Sequence, residues 1–183
     1  IVGEAPHQAL ALGYPIGKRF RSGIATRVAD GAALHIGHQA RADGRWRLYV
    51  FADAAPAGAD SAVKTLADWL AHSPQSPVHG FTPAGLDSNA WFDLKIIYQQ
   101  GHTAVDLGQV PKVFLPRIGF HALIDYEGVF AATPADDIFE ARGIDRQGAL
   151  VLVRPDQYVA HVLPLTATDT LGAFVAGFTQ GQR

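Results

Sequence analysis

The sequence predicts an α/β fold in which helices pack on a mixed β-sheet. Residues 149–153 are five consecutive apolar residues, a run typical of a strand that is buried on both faces. The turn 154–157 contains Pro155 and Asp156 and leads into a second strand, 158–163, so the two strands form a hairpin. Upstream, an amphipathic helix lies between two further apolar strands. This alternation of strands and helices indicates a sheet that is covered by helices.

The beginning of the chain has little regular pattern. Residues 1–31 contain five glycines and two prolines without a clear period, and we interpret them as a connecting arm that contributes little to the core. Residues 33–39 alternate weakly. The dipeptide Asp43-Gly44 is a strong signal for a β-hairpin that leads into 46–52. Because that last segment has apolar groups on both faces, it predicts a central strand.

The next segments predict a helix, a loop and a strand. Asp60 or Ser61 can cap the helix, which ends near His72. Its apolar stripe follows the spacing i, i+3, i+4, i+7 and consists of Val63, Leu66, Ala67 and Leu70. The proline-rich segment 73–89 predicts a loop, and 91–99 predicts the following strand.

The region before the hairpin is less regular. Within 101–116, the segment 109–116 is apolar but interrupted by proline, which favours an edge strand or an extended arm. Residues 123–130 predict another short extended piece. Thr133-Pro134 is typical of a helix start, and Arg142-Gly143 of its end.

The last strand and helix complete the pattern. Alternation places the even-numbered residues of 158–162 on one face of the strand and the odd-numbered residues of 159–163 on the other. After Pro164 a helix opens at 166–169 and stops near Gly181.

The complete order, strand, helix, strand, helix, hairpin and helix, is the connectivity of a thioredoxin-like domain. Such a fold carries its redox dithiol where the central strand enters its helix, here residues 54–60. The chain contains no cysteine, so it lacks the CxxC motif and thiol redox chemistry is excluded. We divide the chain into the arm, 1–31, and a thioredoxin-like domain, 32–183.

Composition limits the classes of function. The 183 residues have a net charge of −2 and no basic stripe, which argues against a nucleic-acid partner. No apolar run approaches the roughly 18 residues of a membrane span, so we expect no membrane partner and a cytoplasmic protein. Because the chain has no Met, even at position 1, we expect a piece of a longer or processed protein.

The histidines predict no metal site. In a strand, His35 and His38 would point to opposite faces and their imidazoles would diverge. His102, His121 and His161 each adjoin apolar runs, which is typical of satisfied or half-exposed histidines.

Other chemistry-bearing residues also lack partners. The serines lie in capping or loop contexts without a nucleophile elbow, and glycines 13–17 do not form a phosphate-binding loop between a strand and a helix. We interpret 125–127 as a solvated turn. The sequence therefore predicts no catalytic, cofactor-binding or metal-binding residue in this chain.

One apolar segment is a candidate for interaction. Residues 113–116, with Ile118 and Phe120, are apolar in a stretch poorly suited to a central strand. They either fill a cleft in this domain or contact another domain or subunit.

Several segments together resemble the C-terminal domain of the FAD-dependent aromatic hydroxylases of the phenol 2-monooxygenase type. They are L-H-I-G-H (34–38), D-G-R-W-R (43–47) with Tyr49 and Phe51, I-Y-Q-Q-G-H (97–102), Val110-Pro111, Leu115-Pro116, D-Y-E-G-V-F (125–130), D-I-F-E-A-R-G-I-D (137–145) and V-R-P-D-Q-Y-V-A-H-V-L-P-L (153–165). The resemblance covers nearly the whole chain in order, and residues 13–20 resemble the arm that follows the substrate domain.

The resemblance implies a thioredoxin-like domain without redox cysteines that serves dimerisation and packing against the catalytic part. FAD and NADPH belong to the preceding domains, so this chain alone would not catalyse ring hydroxylation, and a homodimer is expected. The alternative is a free-standing, redox-inactive thioredoxin-like binding module for a peptide or small aromatic. A histidine-dependent metal enzyme is a third hypothesis.

Overall fold

The computed structural model describes residues 1–179, which form a mixed sheet, a separate small hairpin and three α-helices. The strands are β1 (Ile24–Arg27), β2 (Ala33–His35), β3 (Trp46–Phe51), β4 (Phe92–Tyr98), β5 (Arg117–Ile118), β6 (Leu123–Ile124), β7 (Val129–Ala131), β8 (Ala149–Val153) and β9 (Val159–Leu163). The helices are α1 (Ala62–His72), α2 (Ile138–Ala141) and α3 (Thr168–Thr179). The predicted end near Gly181 lies outside the described residues.

Seven strands form one sheet in the order β2-β1-β7-β4-β3-β8-β9, and β5 pairs only with β6. The central strand β3 runs parallel to β4 and antiparallel to β8. All residues of β3, β4 and β8 are buried, as predicted for strands covered on both faces. The predicted mixed sheet flanked by helices is confirmed.

The two faces of the sheet have separate hydrophobic cores. On one face, Leu48 and Val50 pack in a cluster with apolar side chains of α1 and α3. On the other face, Tyr49 and Phe51 pack with α2 and with the N-terminal segment. Helix α1 begins where the Ser61 Oγ accepts a hydrogen bond from the Lys64 N–H at 3.1 Å, and its four predicted stripe residues are buried.

The N-terminal segment does contribute to the core, so that part of our interpretation is wrong. The Phe20 ring stacks between Tyr14, at a centroid distance of 4.6 Å, and Tyr49, at 4.4 Å. Along the sheet edge, the Gly17 N–H donates to the Val159 carbonyl at 2.8 Å. The segment is needed because α2 has only one turn and leaves most of this face, and the edge of β9, without a cover.

The β8–β9 hairpin is confirmed, but its alternation is broken. Leu152 lies opposite His161, whereas Val153 lies opposite Val159, so Ala160 is an extra residue in the ladder. This bulge turns Val159 toward the second core, while Leu163 packs in the first. The predicted alternation is therefore wrong at Val159 and also at Ala160, which packs in the first core whereas Val162 packs in the second.

Two local predictions fail, one on a strand pairing and one on the start of a helix. Gly44 has a φ of +78°, as a turn requires, yet β2 pairs with β1 and β3 does not pair with either, so Asp43-Gly44 does not close a hairpin. Helix α2 begins after Asp137, whose side chain accepts from the Phe139 N–H at 2.9 Å, rather than at Thr133-Pro134. The predicted end at Arg142, followed by Gly143 with positive φ, is confirmed.

Candidate interaction surface

The junction between β3 and α1 is closed by the chain itself. The Asp53 carboxylate accepts hydrogen bonds from the N–H groups of Ala62 at 3.0 Å and Ala55 at 3.2 Å. The bond from Ala62 satisfies a donor at the start of the helix, where an anion would otherwise bind. The remaining space there is about 10 Å³, which is room for one water molecule at most. The chain's own groups therefore fill most of this junction.

The histidine pair differs from our expectation. The rings of His35 and His38 lie 5.1 Å apart between centroids instead of diverging. The reason is that β2 ends at His35 and the chain continues as a short 3-10 helix, which brings both side chains to the same side. Within residues 1–179, no group of three or more His, Cys, Asp or Glu side chains is arranged to hold a metal ion.

His161 and Ser76 are both buried and hydrogen-bonded within the domain. The buried His161 accepts a hydrogen bond at Nδ1 from the Val162 N–H at 3.0 Å, and its ring packs against Phe174. Burial lowers the pKa of His161. His102 is half-buried and His121 is exposed. The buried Ser76 hydroxyl donates to the Leu70 carbonyl at 2.7 Å and holds the turn after α1.

A charged cluster lies on the second face of the sheet at the start of β3 and β4. Arg47 is fully buried and stands opposite Asp93 in the parallel register. The Arg47 Nη2 lies 2.8 Å from the Asp43 Oδ1, and the Lys95 Nζ lies 3.1 Å from the Asp93 Oδ1. We missed this cluster because we interpreted 46–52 as apolar on both faces, although the charges at 47, 93 and 95 in otherwise apolar strands were a visible signal.

The apolar segment named above divides between two roles. Phe114 is completely buried in the first core, and Val113 and Leu115 pack against that core. Phe120, by contrast, is 99% exposed. Part of the segment thus fills the domain, and its end reaches the surface.

Phe120 stands at the tip of the β5–β6 hairpin. Gly119 and Ala122 both have positive φ angles, of 70° and 48°, and the Ala122 N–H donates to the Gly119 carbonyl at 3.0 Å. The Gly119 N–H also donates to the Asp87 carboxylate at 3.0 Å, which ties the hairpin to the preceding loop. The hairpin geometry therefore holds the Phe120 ring away from its own domain.

The exposed apolar side chains near this tip define what we call the hairpin patch. Its members are Leu86, Phe120, Leu123, Ile124 and Tyr126. One side of the hairpin borders a cleft of about 690 Å³, and the apolar part of its lining consists mainly of Leu86, Leu107, Val110, Leu115, Pro116 and Tyr126. We call this cleft the socket.

The other side of the hairpin borders a polar cleft of about 790 Å³. Asp125 and Glu127 line it, together with Asp93 and Lys95 of the charged cluster. The Asp125 carboxylate accepts from the Glu127 N–H at 2.8 Å, which confirms the predicted turn at 125–127. The exposed Phe120 ring thus projects between the socket, whose lining is partly apolar and partly charged, and the polar cleft.

Solved structures define the class of fold. A thiol:disulfide interchange protein from Bacteroides sp. superposes with a TM-score of 0.56 over 93% of this chain and 97% of the other, at 13% identity. The fold is therefore thioredoxin-like, as predicted, and the chain has no cysteine for a CxxC motif. None of the helices within residues 1–179 is long and apolar enough to cross a membrane.

The family follows from sequence comparison. The profile of the family described as phenol hydroxylase, C-terminal dimerisation domain, matches residues 1–183, and the chain belongs to this family. It is 47% identical to 3-hydroxybenzoate 4-monooxygenase of Comamonas testosteroni over 97% of its length. It is 25% identical, again over 97%, to an FAD-dependent monooxygenase of Aspergillus terreus. The chain spans only 29% and 30% of these two proteins.

Proposed function

We propose that this chain is the non-catalytic C-terminal domain of an FAD- and NADPH-dependent aromatic hydroxylase of the 3-hydroxybenzoate or phenol type. In this proposal it dimerises the enzyme and packs against the preceding FAD and substrate domains in the cytoplasm. The family and the relatives support the assignment, and residues 1–31 would follow the substrate domain.

The observation that carries the dimerisation role is the hairpin patch. Soluble monomers rarely expose several large apolar side chains together, and such groups mark contact surfaces. Phe120 is 99% exposed and Leu123 is 67% exposed, and both sit on a short hairpin outside the main sheet. Contact with another protein surface would bury these side chains, and aromatic residues of this kind are enriched in protein interfaces.

The β3–α1 junction supports a non-catalytic role. Its backbone donors are bonded to Asp53, and no more than a water molecule fits there, so the junction does not suit the pyrophosphate of FAD. We therefore assign flavin chemistry to the parts of the enzyme that precede this domain.

Two measurements on the chain test this function. Sedimentation velocity over a series of concentrations is expected to show a monomer–dimer equilibrium, because burial of the patch favours association; a chain that stays monomeric throughout contradicts the dimerisation role. Mixing the chain with FAD and NADPH is expected to give neither bound flavin nor NADPH oxidation above that of the same mixture without protein. A preparation that retains flavin would contradict the non-catalytic role.

A further inference from the structure

A protruding aromatic side chain, which we call the knob, and the socket lie next to each other on the same surface. The Phe120 ring is the knob, and the open socket beside it combines apolar side chains with the charged side chains of Asp87, Lys112 and Arg117. A cavity of about 150 Å³ is large enough to hold benzene. The socket, at about 690 Å³, therefore has ample room for a phenylalanine side chain. Its own Phe120 does not fill it, because the turn and the Asp87 bond hold the tip outward.

A two-fold dimer requires that one patch contain both complementary parts. In such an interface, residue i of one copy contacts residue j of the other, and j contacts i in return. A protruding ring and an adjacent socket meet this requirement, since each copy donates one and accepts the other.

Charges beside the hairpin are arranged in the same complementary way. The socket is lined by two basic side chains and one acidic side chain, Lys112, Arg117 and Asp87, and so has a small positive excess. In the polar cleft on the other side of the hairpin, the acidic side chains outnumber the basic ones and give a small negative excess: Asp87, Asp93, Asp125 and Glu127 against Arg41, Arg45 and Lys95. A two-fold axis between two hairpins brings the basic side of one copy toward the acidic side of the other. Complementary potentials of this kind fix the register of an interface.

We propose, building on the dimerisation role above, that two copies of this chain pair by reciprocal insertion of Phe120 into the partner's socket. The occupant of the socket is thus a second copy. The polar side chains at 112, 117, 125 and 127 form the rim. Phe120 is the anchor of this interface, as central buried aromatic residues commonly are.

The first test compares dimer affinity by sedimentation velocity. Phe120→Ser is expected to weaken the dimer at least about tenfold, because anchor residues contribute most of the binding energy. Leu12→Ser is the matched control, since Leu12 is 65% exposed but lies outside the hairpin patch, and its dimer should match that of the wild type. Because Phe120 contacts nothing that its removal would unfold, both variants should have wild-type circular dichroism.

The second test uses the absence of cysteine in the chain. Phe120→Cys and Leu86→Cys chains of different mass are mixed and oxidised, and a disulfide-linked heterodimer is expected, because Leu86 lines the socket. A mixture of Phe120→Cys with Leu12→Cys should give no more than background cross-linking.

The outcomes separate the two proposals. A wild-type dimer that tolerates Phe120→Ser, without the Phe120–Leu86 cross-link, overturns the insertion mode, leaves dimerisation standing and assigns the hairpin to another partner such as the preceding domains. A wild-type chain that never associates overturns both proposals.

Discussion

At the residue scale, the main surprise is charge inside the sheet. Arg47, Asp93 and Lys95 are all at least nine-tenths buried, in strands that are otherwise apolar. Burial of a charge is costly unless it is paired, and here each has an opposite charge within 4 Å. Asp93 and Lys95 of this cluster line the polar cleft beside the hairpin and form part of its charged surface.

Asp43 provides a prediction about pH. Burial alone would raise its pKa, but hydrogen bonds from Arg45 and the charge of Arg47 outweigh burial and lower the pKa to about 2. A carboxyl group whose pKa is lower in the folded state stabilises the fold above its unfolded pKa of about 4 and loses this effect as pH falls toward 2. Asp43→Asn is therefore expected to lower the free energy of unfolding by about 1–2 kcal/mol at pH 7.

The measurement is urea unfolding at several pH values. Between about pH 4 and pH 2, Asp43→Asn should lose less stability than the wild type, because one titrating group has been removed. Asp60→Asn is the control, since Asp60 is exposed, and its free energy of unfolding at pH 7 should match that of the wild type within about 0.5 kcal/mol. Equal acid sensitivity of Asp43→Asn and the wild type would contradict the prediction.

At the element scale, one glycine fixes how β8 approaches β3. Gly148 has a φ of +91°, and a Cβ atom there would lie 2.8 Å from the Phe51 carbonyl oxygen and 3.0 Å from the Asp53 nitrogen. Both are backbone atoms, which cannot move aside as a flexible side chain can. Phe51 is the last residue of β3, and Asp53 is the residue whose carboxylate lies at the β3–α1 junction. The buried strand β8 can begin at this point only because residue 148 has no side chain.

Two glycine substitutions should therefore have effects of opposite sign. Gly148→Ala is expected to lower the free energy of unfolding by about 2 kcal/mol or more, since both the positive φ and the close backbone contacts disfavour a Cβ. Gly177→Ala, in α3 and with open space at its Cβ position, should raise it by about 0.5–1 kcal/mol. Urea unfolding of both variants measures the difference, and a tolerated Gly148→Ala would refute the argument.

At the scale of the whole molecule, the N-terminal segment joins distant parts of the fold. It binds the edge of β9 through Gly17 and inserts Phe20 between Tyr14 and Tyr49 of β3. The Gly3 N–H also donates to the Ala160 carbonyl at 2.8 Å. An exposed strand edge is a site of aggregation, so this cover also protects β9.

Phe20→Ala tests that role. Phe20 is only 8% exposed, and removal of its ring from the stack is expected to lower the free energy of unfolding by about 3 kcal/mol. Leu12→Ala, in the same segment but 65% exposed, should change it by less than about 0.5 kcal/mol. The measurement is chemical denaturation of both variants; similar values for the two would mean that the segment adds little to stability.

Much of the scaffold could be predicted from the sequence. The apolar runs of β3 and β8, the 3.6-residue period of α1 and the turn at Pro155 are local patterns, and they determine each element without reference to distant residues. The order of these elements along the chain was enough to predict the connectivity, and the absence of cysteine was enough to exclude thiol chemistry. The quoted segments sufficed for the resemblance to the hydroxylases, which the family match confirms.

Only the tertiary structure decided which residues are covered. Phe114 and Phe120 belong to one apolar segment, yet one is in the core and the other on the surface, and His35 and His38 meet because the strand ends between them. The burial of Arg47 likewise depends on Asp93, 46 positions away in the sequence. Burial and pairing are set by contacts between residues far apart in the chain, whereas periodicity records only the preferences of neighbours.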